Sequence, residues 1–238
     1  MSQAKEISAQ LRSLASPDTA AILQRFFKTG PGQYGEGDVF LGIKIPPLRA
    51  LAKQHRDANL ATITTLLASK YHEERMFALL LLMQFYKQAD EEAQQSVFNL
   101  YLANTQYINN WDLVDVSAPH IIGHYLENKP RKILLQLAKS GSLWERRIAI
   151  ISTFHFIRRN DFADTLHIAE ILLEDAHDLI HKAVGWMLRE VGKRNQHVEE
   201  EFLKQYYPRL PRTALRYAIE RFDSLLREKY LKRTFSIA

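Results

Sequence analysis

The chain of 238 residues contains no cysteine. That excludes disulfides, thiolate metal sites and a cysteine nucleophile, and it fits a reducing compartment. It also lacks any run of ~18 apolar residues, so no segment is expected to span a bilayer. The opening MSQAKEISAQ has no apolar stretch of the signal-peptide kind, so no targeting segment is expected there. No alternating apolar–polar run persists long enough to read as a strand. Neither a Walker motif nor G-x-S-x-G occurs, which leaves nucleotide hydrolysis and serine hydrolysis without a sequence signature.

What is present is helix-forming. The composition is 46% hydrophobic and 25% charged, enough for a sizeable core in one domain or two small ones. Apolar residues recur at three and four spacing, and Leu, Ala, Lys, Glu and Gln dominate. Breakers fall at Ser16-Pro17, in the Gly-rich stretch 30–37, and at Pro46-Pro47, Lys129-Pro130, Gly141 and Pro208 to Pro211. Similar helices begin near EERMFALLLLMQFY, NNWDLVDVSAPHIIG, LWERRIAIISTFHFIRR, LIHKAVGWMLREVGK and LPRTALRYAIERFD. In these, Arg75, Trp111, Arg147, Lys182 and Thr213 recur about every 30–36 residues. One helical hairpin per repeat is the reading, stacked as an all-α, HEAT-like solenoid forming one domain over 1–238, with a concave binding face.

The charge is unevenly spread. Residues 1–128 carry 11 Lys/Arg against 13 Asp/Glu, and residues 129–238 carry 21 against 14, within a net of +5. A basic second half points to a polyanion such as nucleic acid, or to a solvated basic surface. The stretch KTGPGQYGEGDVFLGIKIPPLR holds a G-x-G-x-x-G match at Gly30, Gly32 and Gly35. A dinucleotide fingerprint needs a strand before it and a helix after it, and neither is expected here, so the match is read as accidental.

Three stretches could carry chemistry. In NNWDLVDVSAPHIIG, Asn109 is expected to cap a helix, with Asp112 in its first turn aiding the macrodipole. Asp115 lies beyond capping reach, in a row with Trp111, Ala118 and Ile122. Pro119 crowds its carbonyl and should bend the helix. An unpaired carboxylate buried there would cost several kcal/mol or become protonated. It is therefore either paired with an arginine or catalytic. In SGSLWERRIAIISTF, Ser142 and Glu145 form a capping box, and Arg147 shares a row with Leu143, Ile151 and Phe154. Such a guanidinium wants a phosphate, or a carboxylate in a structural Asp–Arg pair. In DLIHKAVGWMLREVGK, Asp178 is expected to cap and Gly192 to end a helix whose core face is Ile180, Val184, Met187, Leu188 and Val191. Trp186 points the other way, in a row with Lys182, Arg189 and Lys193. That suits a polyanion surface with an aromatic contact, or packing against a neighbouring loop or chain. The pairs His120/His124 and His177/His181 have chelating spacing but no third ligand, so no metal is expected.

In this order and spacing, FLGIKIPPLR, NNWDLVD with its following proline and IIG, LWERRIAI and KAVGWMLRE resemble bacterial DNA alkylation repair glycosylases of the AlkD family. The likeness runs over about residues 20–220. It implies a HEAT-like fold and release of cationic N3- or N7-alkylated adenine and guanine from duplex DNA, without base flipping and without a cofactor. It makes Asp115 the catalytic carboxylate. It places Trp111 and Trp186 against the lesion's deoxyribose and Arg147 on a backbone phosphate. Those four residues would converge on the concave face from successive repeats. Lys44, Lys182, Arg189 and Lys193 would contact DNA.

Three features depart from the family pattern. Phe26 stands where a tyrosine is usual, Lys44 replaces a glutamine before the proline turn, and the loop from Gly30 to Gly37 is longer. The resulting expectation is a monomeric base-excision glycosylase of the cytoplasm and nucleoid. The alternatives are a non-catalytic HEAT-like module gripping damaged or branched DNA, and a protein-interaction scaffold.

Overall fold

The computed structural model describes residues 2–234, and all regular structure in them is helical. The helices form two compact units, one ending at Ser117 and one beginning at Ala118.

The first unit contains α1 (Gln3–Ser13), α2 (Pro17–Phe26), α3 (Ile45–Gln54), α4 (Leu60–Leu67), α5 (His72–Gln88), α6 (Glu91–Ala103) and α7 (Trp111–Ala118). Its boundaries follow local chemistry. Ser16 Oγ accepts from Thr19 N ahead of Pro17, Asn59 caps α4 through Thr62 N, and Asp90 caps α6 through Ala93 N. Between α2 and α3 the Gly-rich stretch runs through turns, with φ +71° at Gly32 and +79° at Gly37. The G-x-G-x-x-G segment thus has neither the strand nor the helix a dinucleotide site requires.

Helix α5 is the centre of this unit, with most of its residues buried, including Glu73, Glu74 and Arg75 in its first turns. Glu73, only 2% exposed, accepts the backbone N–H groups of Leu41 (2.8 Å), Gly42 (2.8 Å) and Ile43 (3.1 Å). Gly42 sits at φ +83°, and a Cβ there would lie 2.1 Å from the Ser16 carbonyl oxygen. Only glycine lets the chain pass so close to the start of α2. The Glu73 anchor and this close approach fix the segment that ends in Lys44 and α3.

Helix α7 opens one residue later than the sequence suggests. Asn110, not Asn109, precedes it. The Asn110 side-chain oxygen accepts from Trp111 N, its carbonyl accepts from Val114 N, and its amide donates to Asp38. The buried Asp38 draws Asn110 inward and so sets the helix start. At the other end Pro119 has no N–H to give the Asp115 carbonyl, and the chain continues as a π-helical turn over Pro119–Gly123.

The second unit contains that turn and α8 (Lys132–Ala138), α9 (Leu143–Ser152), the short α10 (Phe154–Ile157), α11 (Ala163–Ile171), α12 (Asp178–Gly192), α13 (Gln196–Tyr206), α14 (Arg212–Ala218) and α15 (Ser224–Lys232). Helix α12 packs against both α9 and α14, with α11 and α13 also against it. The repeat read from Arg147, Lys182 and Thr213 is therefore physical: its helices α9, α12 and α14 are packed neighbours, the HEAT-like arrangement. All five predicted core residues of α12 are buried. A Cβ on Gly185 would lie 2.3 Å from the Ala214 carbonyl, so glycine is what lets α12 and α14 touch backbone to backbone.

Candidate functional site

Trp111 and Asp115 stand one turn apart on α7, and both are half-buried. The indole is held by an aromatic stack: Phe27 lies parallel to it at 5.2 Å, and Phe40 lies parallel to Phe27 at 4.9 Å. Phe26 meets Trp111 edge-on at 6.1 Å and is itself 61% exposed. Offset stacking and edge contacts of this kind fix a ring plane. The residue that departs from the family tyrosine thus sits directly beside Trp111.

Asp115 is not the deeply buried carboxylate its apolar row suggests. It is half-buried, as is Trp111, whereas Ala118 and Ile122 further along the row are fully buried. Its charge is felt at Tyr101, whose hydroxyl bonds Ser117 at 2.8 Å. Burial drives the Tyr101 hydroxyl upward; the Ser117 bond opposes this and Asp115 adds to it.

Asp112 has more than the capping role its position implies. Its Oδ2 lies 2.8 Å from His72 Nε2, while His72 Nδ1 lies 2.9 Å from Asp38 Oδ2. Arg75 completes the set by donating to Asp38 Oδ1 at 2.7 Å. Burial alone would lower the His72 pKa, but Asp112 and then Asp38 outweigh it and raise it to about 9. Burial likewise works to raise Asp38, and the His72 bond with the Arg75 charge outweighs it, holding that carboxyl below its ordinary range. At neutral pH the group is thus an imidazolium between two carboxylates, with a guanidinium on one of them. It ties α5 to the start of α7 and hence to Trp111.

This linkage has a sign. A histidine raised in the folded state stabilises fully below its unfolded pKa and ceases to do so as pH rises through the folded value. With folded and unfolded values of about 9 and 6.5, stability should fall by about 2 kcal/mol between pH 7 and 9. His72→Gln should flatten that part of the profile. Urea unfolding of both proteins at pH 7 and 9 measures it, and equal slopes would refute the assignment.

Beside this group is a cleft of about 610 Å³ whose walls include Ile22, Phe26, Ile45 and Lys44, with His72 and Asp112 also lining it. Lys44 is exposed, at the position just before α3. In the first unit the predicted residues Trp111, Asp115 and Lys44 are therefore accompanied by Phe26 and the His72 group.

In the second unit Arg147 is 5% exposed and donates from Nη1 to the Leu179 carbonyl at 2.6 Å, bridging α9 to the first turn of α12. Its neighbour Arg146 makes an Asp–Arg pair between repeats, donating to Asp175 at 2.6 Å. Ser142 caps α9 as expected. Helix α12 is capped by His177, whose Nδ1 accepts from Leu179 N; Asp178 is its first residue, not its cap. The imidazole reaches the N–H because the preceding backbone is extended.

The row around Trp186 is less basic than a count of cations implies. Lys182 pairs with Asp178 at 2.8 Å, Lys193 with Glu190 at 2.6 Å, and Arg189 with Glu220. Trp186 itself is half-buried, donates its indole N–H to Glu190, and lies 6.0 Å from the Phe154 ring. The pair His177/His181 serves local bonds: His177 caps α12 and His181 contacts the Asp175 carbonyl. Among the described residues no group of three or more His, Asp or Glu is placed to hold a metal. None of their helices is long and apolar enough to cross a membrane.

Sequence spacing gives no hint of His72 and Asp38, which are separated from their partners by tens of residues. Glu190, by contrast, was legible one turn beyond Trp186.

No curated protein matches the chain. A solved structure titled as a predicted DNA alkylation repair enzyme from Enterococcus faecalis shares the fold at 19% identity, covering 88% of this chain and 97% of its own with a TM-score of 0.68. The sequence profile described as DNA alkylation repair enzyme matches residues 7–222, and the chain belongs to that family.

Proposed function

We propose that the protein is a DNA N-glycosylase that releases positively charged N3- or N7-alkylated purines from duplex DNA without flipping the base. The observation that carries this reading is the α7 face. It sets a half-buried carboxylate, Asp115, one turn from an indole, Trp111, locked by Phe27 and flanked by Phe26.

The chemistry follows from the substrate's charge. An N3- or N7-alkylated purine is already cationic, so it departs with the glycosidic electron pair without being protonated, and no general acid is required. The sugar left behind is oxocarbenium-like. A carboxylate close to it stabilises that charge and positions the attacking water, and indole faces add cation–π attraction. Asp115 and Trp111 take these roles from the first unit. From the second, Trp186 offers an indole and Arg147 a guanidinium suited to phosphate. Lys44 and Phe26 line an apolar cleft beside Trp111 and act on the DNA surface near the lesion.

The deciding experiment is incubation with duplex DNA carrying a single N7-methylguanine, followed by alkali. Strand scission at that position supports the reading. Stable binding without scission would turn it into a damage-binding module.

The ion pairs around Trp186 limit what those cations give to affinity. Replacing Lys182 and Lys193 together by Ala is expected to weaken duplex binding equally across sequences. It should also reduce the log–log salt slope by less than about one. Fluorescence anisotropy over a salt series measures both. A loss that depends on sequence, or none at all, removes these lysines from the DNA-contacting set.

A further inference from the structure

The indole N–H of Trp186 donates to Glu190 Oε1 at 3.1 Å, one turn further along α12. The same oxygen accepts from Lys193 Nζ at 2.6 Å and lies 3.7 Å from Arg189 Nη2. The Glu190 side chain is only 13% exposed. A carboxylate is thus held nearly dry between two cations, with an indole N–H as its remaining partner. On another side, the Phe154 ring is tilted 47° to the indole.

Two effects follow from elementary chemistry. A negative acceptor at the indole N–H polarises that bond and leaves more electron density in the ring, so the π face attracts a cation more strongly. The bond also fixes the ring plane before any ligand arrives, which removes an ordering cost from the reaction. An indole without such an acceptor would have neither property.

We propose that Glu190 is a positioning residue: its carboxylate braces the Trp186 indole and enriches its face for the sugar cation formed as the base departs. Arg189 and Lys193 hold Glu190 in place, so that they support the ring besides adding positive charge to this face. The proposal rests on the glycosylase reading above.

The test uses the full chain and two readouts. The first is the indole N–H resonance of Trp186, identified by its loss in Trp186→Phe. In Glu190→Gln the proton signal should move upfield as a charged acceptor becomes a neutral one. Glu190→Asp, which keeps the charge but withdraws the oxygen, should move it likewise. The second is single-turnover release of N7-methylguanine. Glu190→Gln should slow the chemical step about fivefold with little change in duplex affinity. In the Trp186→Phe background the same change should cost nothing further, because the N–H it acts through is gone.

An indole signal that stays in place in both Glu190 variants overturns the brace, whatever the activity. An equal Glu190→Gln loss with and without Trp186 overturns the catalytic part. If the unmodified protein releases no base, the glycosylase reading falls, and the indole signal still decides whether Glu190 braces the ring.

Discussion

Asp115→Asn is expected to fold and to bind duplex DNA nearly as the unmodified protein does, while N7-methylguanine release falls by about 10²-fold or more. That is roughly 3 kcal/mol of transition-state stabilisation, the scale for one well-placed electrostatic group. The amide is nearly isosteric, and Asp115 is half-buried at the surface of α7, so packing should survive. What is lost is the full negative charge facing the developing sugar cation. Asp112→Asn is the control, and the structure changes what it should do. Because Asp112 bonds the His72 imidazolium at 2.8 Å, its replacement should cost about 1.5–3 kcal/mol of stability, the range for a hydrogen bond to a charged group. Excision by the protein that remains folded should stay within severalfold of normal. Single-turnover excision and thermal melts on both variants separate the two effects. Retained excision in Asp115→Asn would end the claim that this carboxylate acts on the sugar.

Much of this was legible in the sequence where the physics is local. Ser16-Pro17 and Ser142 announce helix starts because a cap needs only its own next three residues. The Arg147, Lys182 and Thr213 spacing announces helices that pack side by side, since a repeat must bury the same face each time. The outward direction of Trp186 follows from the buried row of Ile180, Val184, Met187, Leu188 and Val191. The electrostatics were less legible, for two different reasons. The His72 group joins residues 34 to 72 positions apart, and no helical wheel holds such partners together. The pairs at Lys182 and Lys193 are local. Asp178 and Glu190 stand at ordinary helical spacings, and a tally of cations alone around Trp186 passes over them. Asp115 differs again: an apolar row says that a face is covered, but not how fully, and only the packed unit shows that side chain reaching solvent.

Glu73→Ala is expected to have the largest effect on stability, about 3–5 kcal/mol, because it strands three buried N–H groups at once. Leu41, Gly42 and Ile43 direct their amides at one carboxyl group that is itself 2% exposed. No water-filled gap of the right shape is guaranteed when the side chain is cut back, so each donor loses a partner instead of exchanging it. Glu73→Gln should fall between. An amide oxygen at the Oε1 position still serves Gly42 and Ile43, whereas its NH₂ group faces the Leu41 N–H, donor against donor. The order unmodified, Gln, Ala should appear in urea midpoints. It should appear more locally in hydrogen exchange, with the Leu41 amide losing protection in Gln and all three amides in Ala. The consequence for function runs through the chain itself, because this segment delivers Lys44 and Ile45 to the edge of the cleft beside Phe26. Base release by Glu73→Gln should therefore drop although Glu73 touches no DNA, and Asp115 should keep its own role unchanged. Unaltered midpoints with all three amides still protected in Glu73→Ala would show that this segment is held by packing and not by the carboxyl group.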